Sequence, residues 1–110
     1  MKKILLVAIL LIVLIPYVTV QLKKYLYEHK IGQYLIEEIH YTEEEIHSID
    51  CEWYLGGLPN YSVHVIFNDE PNVVYIYFVH RKDRLGQFEH FTIDGTVLQP
   101  EQLKHYNPYE

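Results

Sequence analysis

The stretch YSVHVIFNDEPNVVYIYFV, residues 61–79, decides the fold because it reads as two strands joined by a short loop. The segment from Tyr61 to Phe67 alternates in polarity, and the loop NDEPN contains Asn, Asp and Pro, which favour turns. A connection this short makes the two strands pair antiparallel. The segment from Val73 to Val79 is apolar at every position. It therefore predicts a central strand with one face against a helix and the other covered by aromatic residues or by a partner.

Period-two patterns on either side extend this hairpin into a meander. The predicted strands are Ser48 to Tyr54, Tyr61 to Phe67, Val73 to His80 and Gln87 to Ile93, followed by an Asp94-Gly95 turn and a short strand at Thr96 to Leu98. The connections LGGLPN, NDEPN and RKDRLG are rich in turn-forming residues. We therefore predict an α+β fold with a four- to five-stranded antiparallel meander sheet.

A helix is predicted before the sheet, because apolar residues recur there at helical spacing. They are Leu22, Leu26, Ile31, Leu35 and Ile39, with charged and amide side chains between them. Gly32 weakens this juxtamembrane helix without ending it. Thr42 and Glu45 have the spacing of a capping box, which predicts one helical turn over Glu43 to Ile46. Glutamates there compensate the helix dipole on a solvated surface.

The first 24 residues either anchor the chain or direct its export. Two lysines precede an unbroken aliphatic run from Ile4 to Ile15, as in a signal peptide. Cleavage of a signal peptide, however, requires small residues such as Ala at the cleavage site. The residues after Pro16, Val20 among them, are poor substitutes for Ala. A helix from Ile4 to Leu22 rises about 28 Å, close to the ~30 Å hydrocarbon thickness of a bilayer. We favour an uncleaved anchor over residues 1–24 that contacts membrane lipid through residues 4–22, and a cleaved signal is the alternative.

Residues 25–110 form one small predicted domain outside the cytoplasmic membrane. Lysines flank both ends of the apolar run, so the positive-inside rule does not decide the orientation. An apolar start behind Lys2 and Lys3 nevertheless resembles an export signal, which carries the following chain outward. We therefore expect a single-pass protein of the cell membrane. The lone Cys51 is compatible with an oxidising exterior, and we expect a buried apolar side chain rather than a reactive thiol.

The charge of the predicted domain limits its partners. After Lys24 the chain has 15 acidic and 5 basic residues, a formal net charge of −10 with His neutral. Nucleic acid is excluded as a partner because its binding depends on basic groups. The same charge argues against a second contact with anionic lipid. An envelope protein or peptide remains as a possible partner.

Seven histidines invite a metal hypothesis, which spacing does not support. Pairing Phe67 with Val73 sets His64 opposite Ile76 and about 13 Å from His80, too far for one ion. His90 adds at most a pair with His80. His40 and His47 straddle a turn, and the chain has no HExxH or CxxC motif. We predict no metal-ligating residue.

Nucleophilic catalysis has no better support in the sequence. His47 precedes Cys51 by four residues, but a strand carries Cys51 away from it along the chain, and no G-x-S-x-G motif is present. The carboxylate pairs Asp69-Glu70 and Glu37-Glu38 are expected to be solvated. We therefore predict no catalytic residue, no cofactor and no enzyme.

Three segments carry a resemblance to a known family. The lysine-initiated apolar start, YLIEEIHYTEEEIHSID at residues 34–50 and YSVHVIFNDEPNVVYIYFV at residues 61–79 resemble the short Firmicute membrane proteins known as domain of unknown function 3139. The resemblance extends over nearly the whole chain and implies a membrane-attached small domain with no established activity. More loosely, TIDGTVL at residues 92–98 is similar to PepSY-type domains, small extracytoplasmic modules thought to bind or inhibit partners.

Two function classes therefore stand open. The first is a non-enzymatic binding or regulatory module at the outer membrane surface, which offers its sheet or an edge strand to a partner. The second is a small envelope hydrolase that depends on His and Glu residues or on a metal.

Overall fold

A long helix followed by a four-stranded sheet makes up the fold. The computed structural model describes residues 1–53, 61–81 and 84–108, apart from the side chains at 80, 81 and 84. The elements in chain order are α1 (Lys2–Glu37), a 3-10 turn (Glu43–Glu45), β1 (Ile46–Trp53), β2 (Tyr61–Phe67), β3 (Glu70–Arg81), β4 (Arg84–Thr92) and a second 3-10 turn (Pro100–Gln102). All pairs are antiparallel in the order β1-β2-β3-β4. The predicted α+β class and meander are confirmed.

Helix α1 joins the predicted anchor to the domain without a break. It has 36 residues and includes Pro16, which has no N–H to donate to the preceding turn. The Thr19 hydroxyl donates to the Ile15 carbonyl at 2.8 Å near this position. Apolar side chains from Ile4 to Tyr17 are exposed, and α1 is the one described helix long and apolar enough to cross a membrane. The boundary at residue 24 does not coincide with a helix end, so it stays a prediction.

Only the end of α1 packs on the sheet. Ile31 and Leu35 are fully buried, whereas Leu22 and Leu26 are more than half exposed. The helix ends at Glu37, before Ile39, and His40 takes a left-handed backbone conformation with φ of 71°. This reversal lets the Tyr41 N–H donate to the Leu35 carbonyl at 2.9 Å, which starts the path toward β1.

The predicted capping box lies just before β1. The backbone N–H and the hydroxyl of Thr42 both donate to the Glu45 carboxylate, at 3.2 and 3.1 Å. The turn that follows is a 3-10 turn over Glu43–Glu45 rather than a turn that includes Ile46. Its three glutamates are exposed, as the sequence indicates.

One core fills the space between α1, the sheet and the C-terminal tail. Its buried members are Ile31, Leu35, Cys51, Val63, Val65, Phe67, Val73, Tyr75, Tyr77 and Leu103. Aromatic rings close its borders, with Tyr34 edge-on to Tyr77 and Tyr27 edge-on to Tyr61. Strand β3 pairs with a strand on each side. The predicted central strand, which spans Val73 to Val79, is therefore confirmed.

The pairing of β2 with β3 differs in part from the prediction. His64 lies opposite Ile76, as expected, but Phe67 pairs with Glu70 instead of Val73. A two-residue turn closes the hairpin at Phe67, and the extra β3 residues bulge out opposite Ile66. Pro71 lies in this bulge and has no N–H for the ladder, which explains why regular pairing stops there.

The fifth strand predicted at Thr96 to Leu98 is not formed. Gly95 turns the chain with a φ of 83°, and the Thr96 N–H donates to the Asp94 carboxylate at 3.0 Å. The tail then crosses the helix side of the sheet, where Leu103 and His105 are buried. Pairing along the edge of β4 consists, for the residues described, of a single bridge between Gln87 and Pro108. Burial of apolar and ring surface therefore directs the tail across the sheet instead of along its edge.

Replacing a β3 residue by aspartate should unfold the domain. Ile76 is 8% exposed and lies between His64 and Glu89 on neighbouring strands. Ile76→Asp would bury a carboxylate beside the Glu89 carboxylate, and we expect a cost of about 3 kcal/mol or more. Phe78→Asp should act in the same direction. Thermal unfolding of the full-length protein in detergent, followed by circular dichroism, measures the change. Val97→Asp, at a position 82% exposed, is the control, and an Ile76→Asp melting temperature equal to that of the control would contradict the assignment.

Candidate functional site

The sheet face opposite α1, called here the open face, is one candidate site. Its apolar residues are Ile66, Val74, Ile76, Phe78, Phe88 and Phe91. Phe88 is the extra residue at a β4 bulge and packs edge-on to Phe78 with ring centroids 5.8 Å apart. Phe91 packs edge-on to His64 at 6.1 Å. These two ring pairs, called here the aromatic strip, lie on β2, β3 and β4, with Glu89 between Phe88 and Phe91.

The open face is partly covered by its own aromatic rings. Val74 and Ile76 are 5% and 8% exposed, whereas Phe88 and Phe91 are 42% and 44% exposed. In the described part of the chain, both α1 and the tail lie on the other side of the sheet. The sequence predicts aromatic residues or a partner as the cover of this face. Aromatic rings lie on it, two of them more than 40% exposed, and a covering partner stays a prediction. Exposed aromatic rings of this kind are typical of protein interfaces.

Acidic side chains border the aromatic strip. Asp50 pairs with His64, Glu52 pairs with Ser62, and Glu89 pairs with Ile76, so the three carboxylates share the open face. Asp50, Glu52 and Glu89 are exposed. The open face therefore has apolar residues at its centre, two carboxylates on the β1 side and the Glu89 carboxylate among the rings of β4.

A second candidate is a group of polar side chains around His105, called here the His105 cluster: Tyr41, Asp69, Glu70, Tyr75 and His105. The His105 ring is 8% exposed and stacks on Phe67 with centroids 3.9 Å apart. Its Nε2 lies 2.6 Å from the Asp69 carboxylate, and its Nδ1 lies 2.8 Å from the Tyr41 hydroxyl. Three segments distant in sequence meet at this ring.

The positions of the protons in this chain of hydrogen bonds follow from the donor and acceptor groups of each partner. A carboxylate only accepts hydrogen bonds, so Nε2 of His105 carries the proton that is donated to Asp69. In the neutral ring Nδ1 then accepts from the Tyr41 hydroxyl. Burial, the largest cause, together with the nearby carboxylates, raises the pKa of Tyr41. With the ring neutral, the order of donation is Tyr41 to His105 to Asp69.

The other half of the cluster holds the tail through its backbone. The Tyr75 hydroxyl donates to Glu70 and accepts from the His105 N–H, while the other Glu70 oxygen accepts from the Lys104 N–H at 3.1 Å. Burial first, and the hydrogen bond to Glu70 second, raise the pKa of Tyr75. Glu70 is buried, so the expectation of a solvated Asp69-Glu70 pair is wrong for Glu70. The bonds to the tail compensate the desolvation of this carboxylate.

In the described part of the chain, His64, His90 and Cys51 do not come together in a metal or catalytic cluster. His64 lies on the open face, whereas His90 pairs with Tyr75 on the helix side, and the side chain of His80 lies outside the described residues. No group of three or more His, Cys, Asp or Glu residues with metal-binding geometry occurs among the residues that the structure describes.

Cys51 lies in the core and is separated from His47. Its side chain is 2% exposed, and His47 is exposed at an irregularity in β1. Burial, followed by the nearby Glu28 carboxylate, raises the pKa of the thiol to about 12. A thiol with this pKa is protonated at neutral pH and is a poor nucleophile. The interpretation of Cys51 as a buried strand residue agrees with this environment.

The sequence did not indicate the His105 cluster. His105 follows Asp69 by 36 residues and Tyr41 by 64 residues, and no short motif connects them. The nearest local signal is Leu103, an apolar residue two positions earlier with polar residues on both sides. A tail residue that packs in the core places its neighbours near the core as well.

The Asp69–His105 bond should make stability depend on pH. The hydrogen bond from His105 is the main cause that lowers the pKa of Asp69 below its ordinary value. A carboxylate with a lowered pKa in the folded state stabilises that state above the unfolded pKa of about 3.9, and the effect is lost as pH falls through the folded pKa. We expect Asp69→Asn to lower the melting temperature at neutral pH and to have a smaller effect near pH 3. Asp50→Asn, on the open face, is the control. An Asp69→Asn effect of the same size at both pH values would show that the ionised carboxylate contributes nothing.

Comparison with known proteins places the chain in a family. A family model described as "Protein of unknown function (DUF3139)" matches residues 1–77. This range includes α1, β1, β2 and most of β3, but it ends before β4 and the tail with His105. The match is therefore shorter than the nearly complete resemblance expected from the sequence, and the PepSY-type likeness stays a prediction. No curated protein and no solved structure shows significant similarity to the chain. Because the match covers well over half of the sequence, the chain belongs to the family described as Protein of unknown function (DUF3139).

Proposed function

We propose that the protein is a single-pass membrane protein that carries a non-enzymatic binding or regulatory domain outside the cytoplasmic membrane. The open face supports this proposal more directly than any other feature, since Phe88 and Phe91 are 42% and 44% exposed beside a well-packed sheet. Large exposed rings on a rigid strand offer contact area at a low cost in conformational entropy. The domain uses this face to bind a partner protein.

The charge of the open face defines the partner. Asp50 and Glu52 lie on one side of the aromatic strip, and Glu89 lies within it. A partner with apolar side chains at its centre and lysine or arginine at its rim complements this pattern. The formal charge of −10 after Lys24 favours the encounter with such a partner.

The apolar part of α1 supports the membrane anchor. Side chains from Ile4 to Ile15 are exposed along the helix, and a bilayer would remove them from water. Because α1 continues into the core through Ile31 and Leu35, the anchor and the domain form one body. The open face then stays at a fixed height above the bilayer.

Photocrosslinking from the open face tests the binding function. We expect a photoreactive residue at Phe88 or Phe91 to give the same discrete crosslinked product in cells, whereas one at the exposed Val97 gives none. Asp50→Lys together with Glu52→Lys should reduce the yield, because the charge at the rim is reversed. Equal products from all three positions, or a yield insensitive to the charge reversal, would contradict binding at this face.

The membrane topology predicts two results on whole cells. The intact mass of the membrane-extracted protein should include residues 1–20, since the residues after Pro16 are poor cleavage positions. Protease added to intact, wall-stripped cells should digest the domain at residues 25–110. A mass lower by about two kilodaltons would show cleavage of a signal peptide. Protection until lysis would place the domain in the cytoplasm.

The His105 cluster is the observation that favours the second class, a small envelope hydrolase that depends on His and Glu residues or on a metal. The order Tyr41, His105, Asp69 resembles the base and orienting carboxylate of a nucleophilic site. Nδ1 of His105, however, is bonded to a tyrosine hydroxyl instead of a serine or cysteine. The ring is also buried against Phe67. Stoichiometric zinc or another ion in the purified full-length protein would favour this class over the binding module.

A further inference from the structure

The outer edge of β1 has backbone groups that the sheet does not use. Among the residues that the structure describes, β1 pairs only with β2 and is the first strand of the sheet. The Cys51 N–H donates to the Glu28 carboxylate at 2.9 Å, so it points away from β2. Because these groups alternate in direction along a strand, the N–H groups of Ile49 and Trp53 also point outward. β1 therefore presents a free edge suitable for one more strand.

A groove along α1 lies beside this edge. It has a volume of about 430 Å³, and its lining includes Tyr25, Glu28, Gly32, Ile36, Glu37 and Glu43. A Cβ atom at Gly32 would lie 3.5 Å from Cδ1 of Ile49, which places the groove against β1. A strand added to β1 would direct alternate side chains toward this helix. The groove thus provides space for one row of side chains of the added strand.

We propose that the free edge of β1 binds an extended basic segment of a partner protein as an additional antiparallel or parallel strand. This inference goes beyond the proposed function, because it assigns a second surface. Three carboxylates, from Glu28, Glu37 and Glu43, border the groove, and they complement lysine or arginine side chains. Tyr25 and Ile36, which are 64% and 36% exposed, contact the apolar stems of these side chains.

Glu28 occupies the edge when no partner is bound. Its carboxylate accepts from the Cys51 N–H, which blunts the edge against unspecific pairing. A carbonyl of the incoming strand replaces this carboxylate as the acceptor. Glu28 then becomes available to a basic side chain of the same strand, so the exchange keeps every buried polar group paired.

The direction of β1 argues against antiparallel pairing of two copies of the chain at this edge. Glu28 contacts Cys51 and Gly32 approaches Ile49, so β1 runs opposite to α1. Antiparallel pairing of two β1 strands would point the two α1 helices in opposite directions. Two copies anchored in one membrane, as proposed above, cannot meet in this way. A segment of another protein is not restricted in this manner.

Synthetic peptides test the proposal on the full-length protein in phosphatidylcholine nanodiscs, with empty nanodiscs as the blank. The probe has about ten residues that alternate lysine and valine, a length that spans β1. We expect it to bind, and a peptide that alternates glutamate and valine not to bind. Two further lysine–valine peptides carry N-methyl groups, one on every lysine and one on every valine. Only one of these two N-methylated peptides should bind. The N–H groups of alternate residues point to opposite edges of a strand, and only one edge pairs with β1.

Matched variants locate the binding site. Glu37→Lys combined with Glu43→Lys should weaken binding of the probe about tenfold at low salt. Glu38→Lys combined with Glu101→Lys, which makes the same change in net charge at exposed positions outside the groove lining, should leave affinity nearly unchanged. Phe88→Ala should also leave it unchanged, which separates this surface from the open face. Equal losses in both pairs, or binding of both or neither N-methylated peptide, would overturn the proposal.

Discussion

The packing of two helical residues, Ile31 and Leu35, against the sheet is the contact on which the rest of the structure depends. Both side chains are fully buried, and each contributes about 1.5–3 kcal/mol through loss of apolar contact with water. The sheet has no other helix to cover it in the described part of the chain. The same α1 contains the long apolar segment, so this contact also fixes the sheet relative to that segment. The orientation of each proposed binding surface relative to the apolar segment therefore depends on the packing of Ile31 and Leu35.

The C-terminal tail covers the part of the sheet that α1 leaves uncovered. α1 lies mainly over β1 and β2, while Leu103 and His105 cover the region near Phe67 and Tyr75. Gln87 holds the end of the tail by donating to the His105 carbonyl at 2.9 Å and accepting from the Asn107 N–H at 3.1 Å. Buried polar side chains are stable there because each has a partner. The His105 cluster is therefore explained first by a structural role, which is to hold the tail on the sheet.

The open face and the free edge of β1 have the same charge but differ in recognition. The open face would bind through aromatic side chains, which require a shaped surface on the partner. The edge would bind through backbone hydrogen bonds, which require only an extended segment. Negative charge at both sites would select basic partners, and Glu28 would limit pairing at the edge when no partner is bound. A single partner with a folded face and a basic extension would satisfy both surfaces.

The sequence by itself determined the secondary-structure elements of this protein. The tertiary structure decided how the ends of these elements pair and where the tail packs. Local periodicity is a property of a few adjacent residues, so it predicted the meander, the central strand at Val73 to Val79 and the pairing of His64 with Ile76. The bulge after Phe67 depends on a competition between a tight turn and the ladder, which periodicity does not describe. The His105–Asp69 pair and the course of the tail depend on contacts across 36 residues. Such contacts form only when the core offers a space for the ring, and that space exists only after α1 and the sheet have packed.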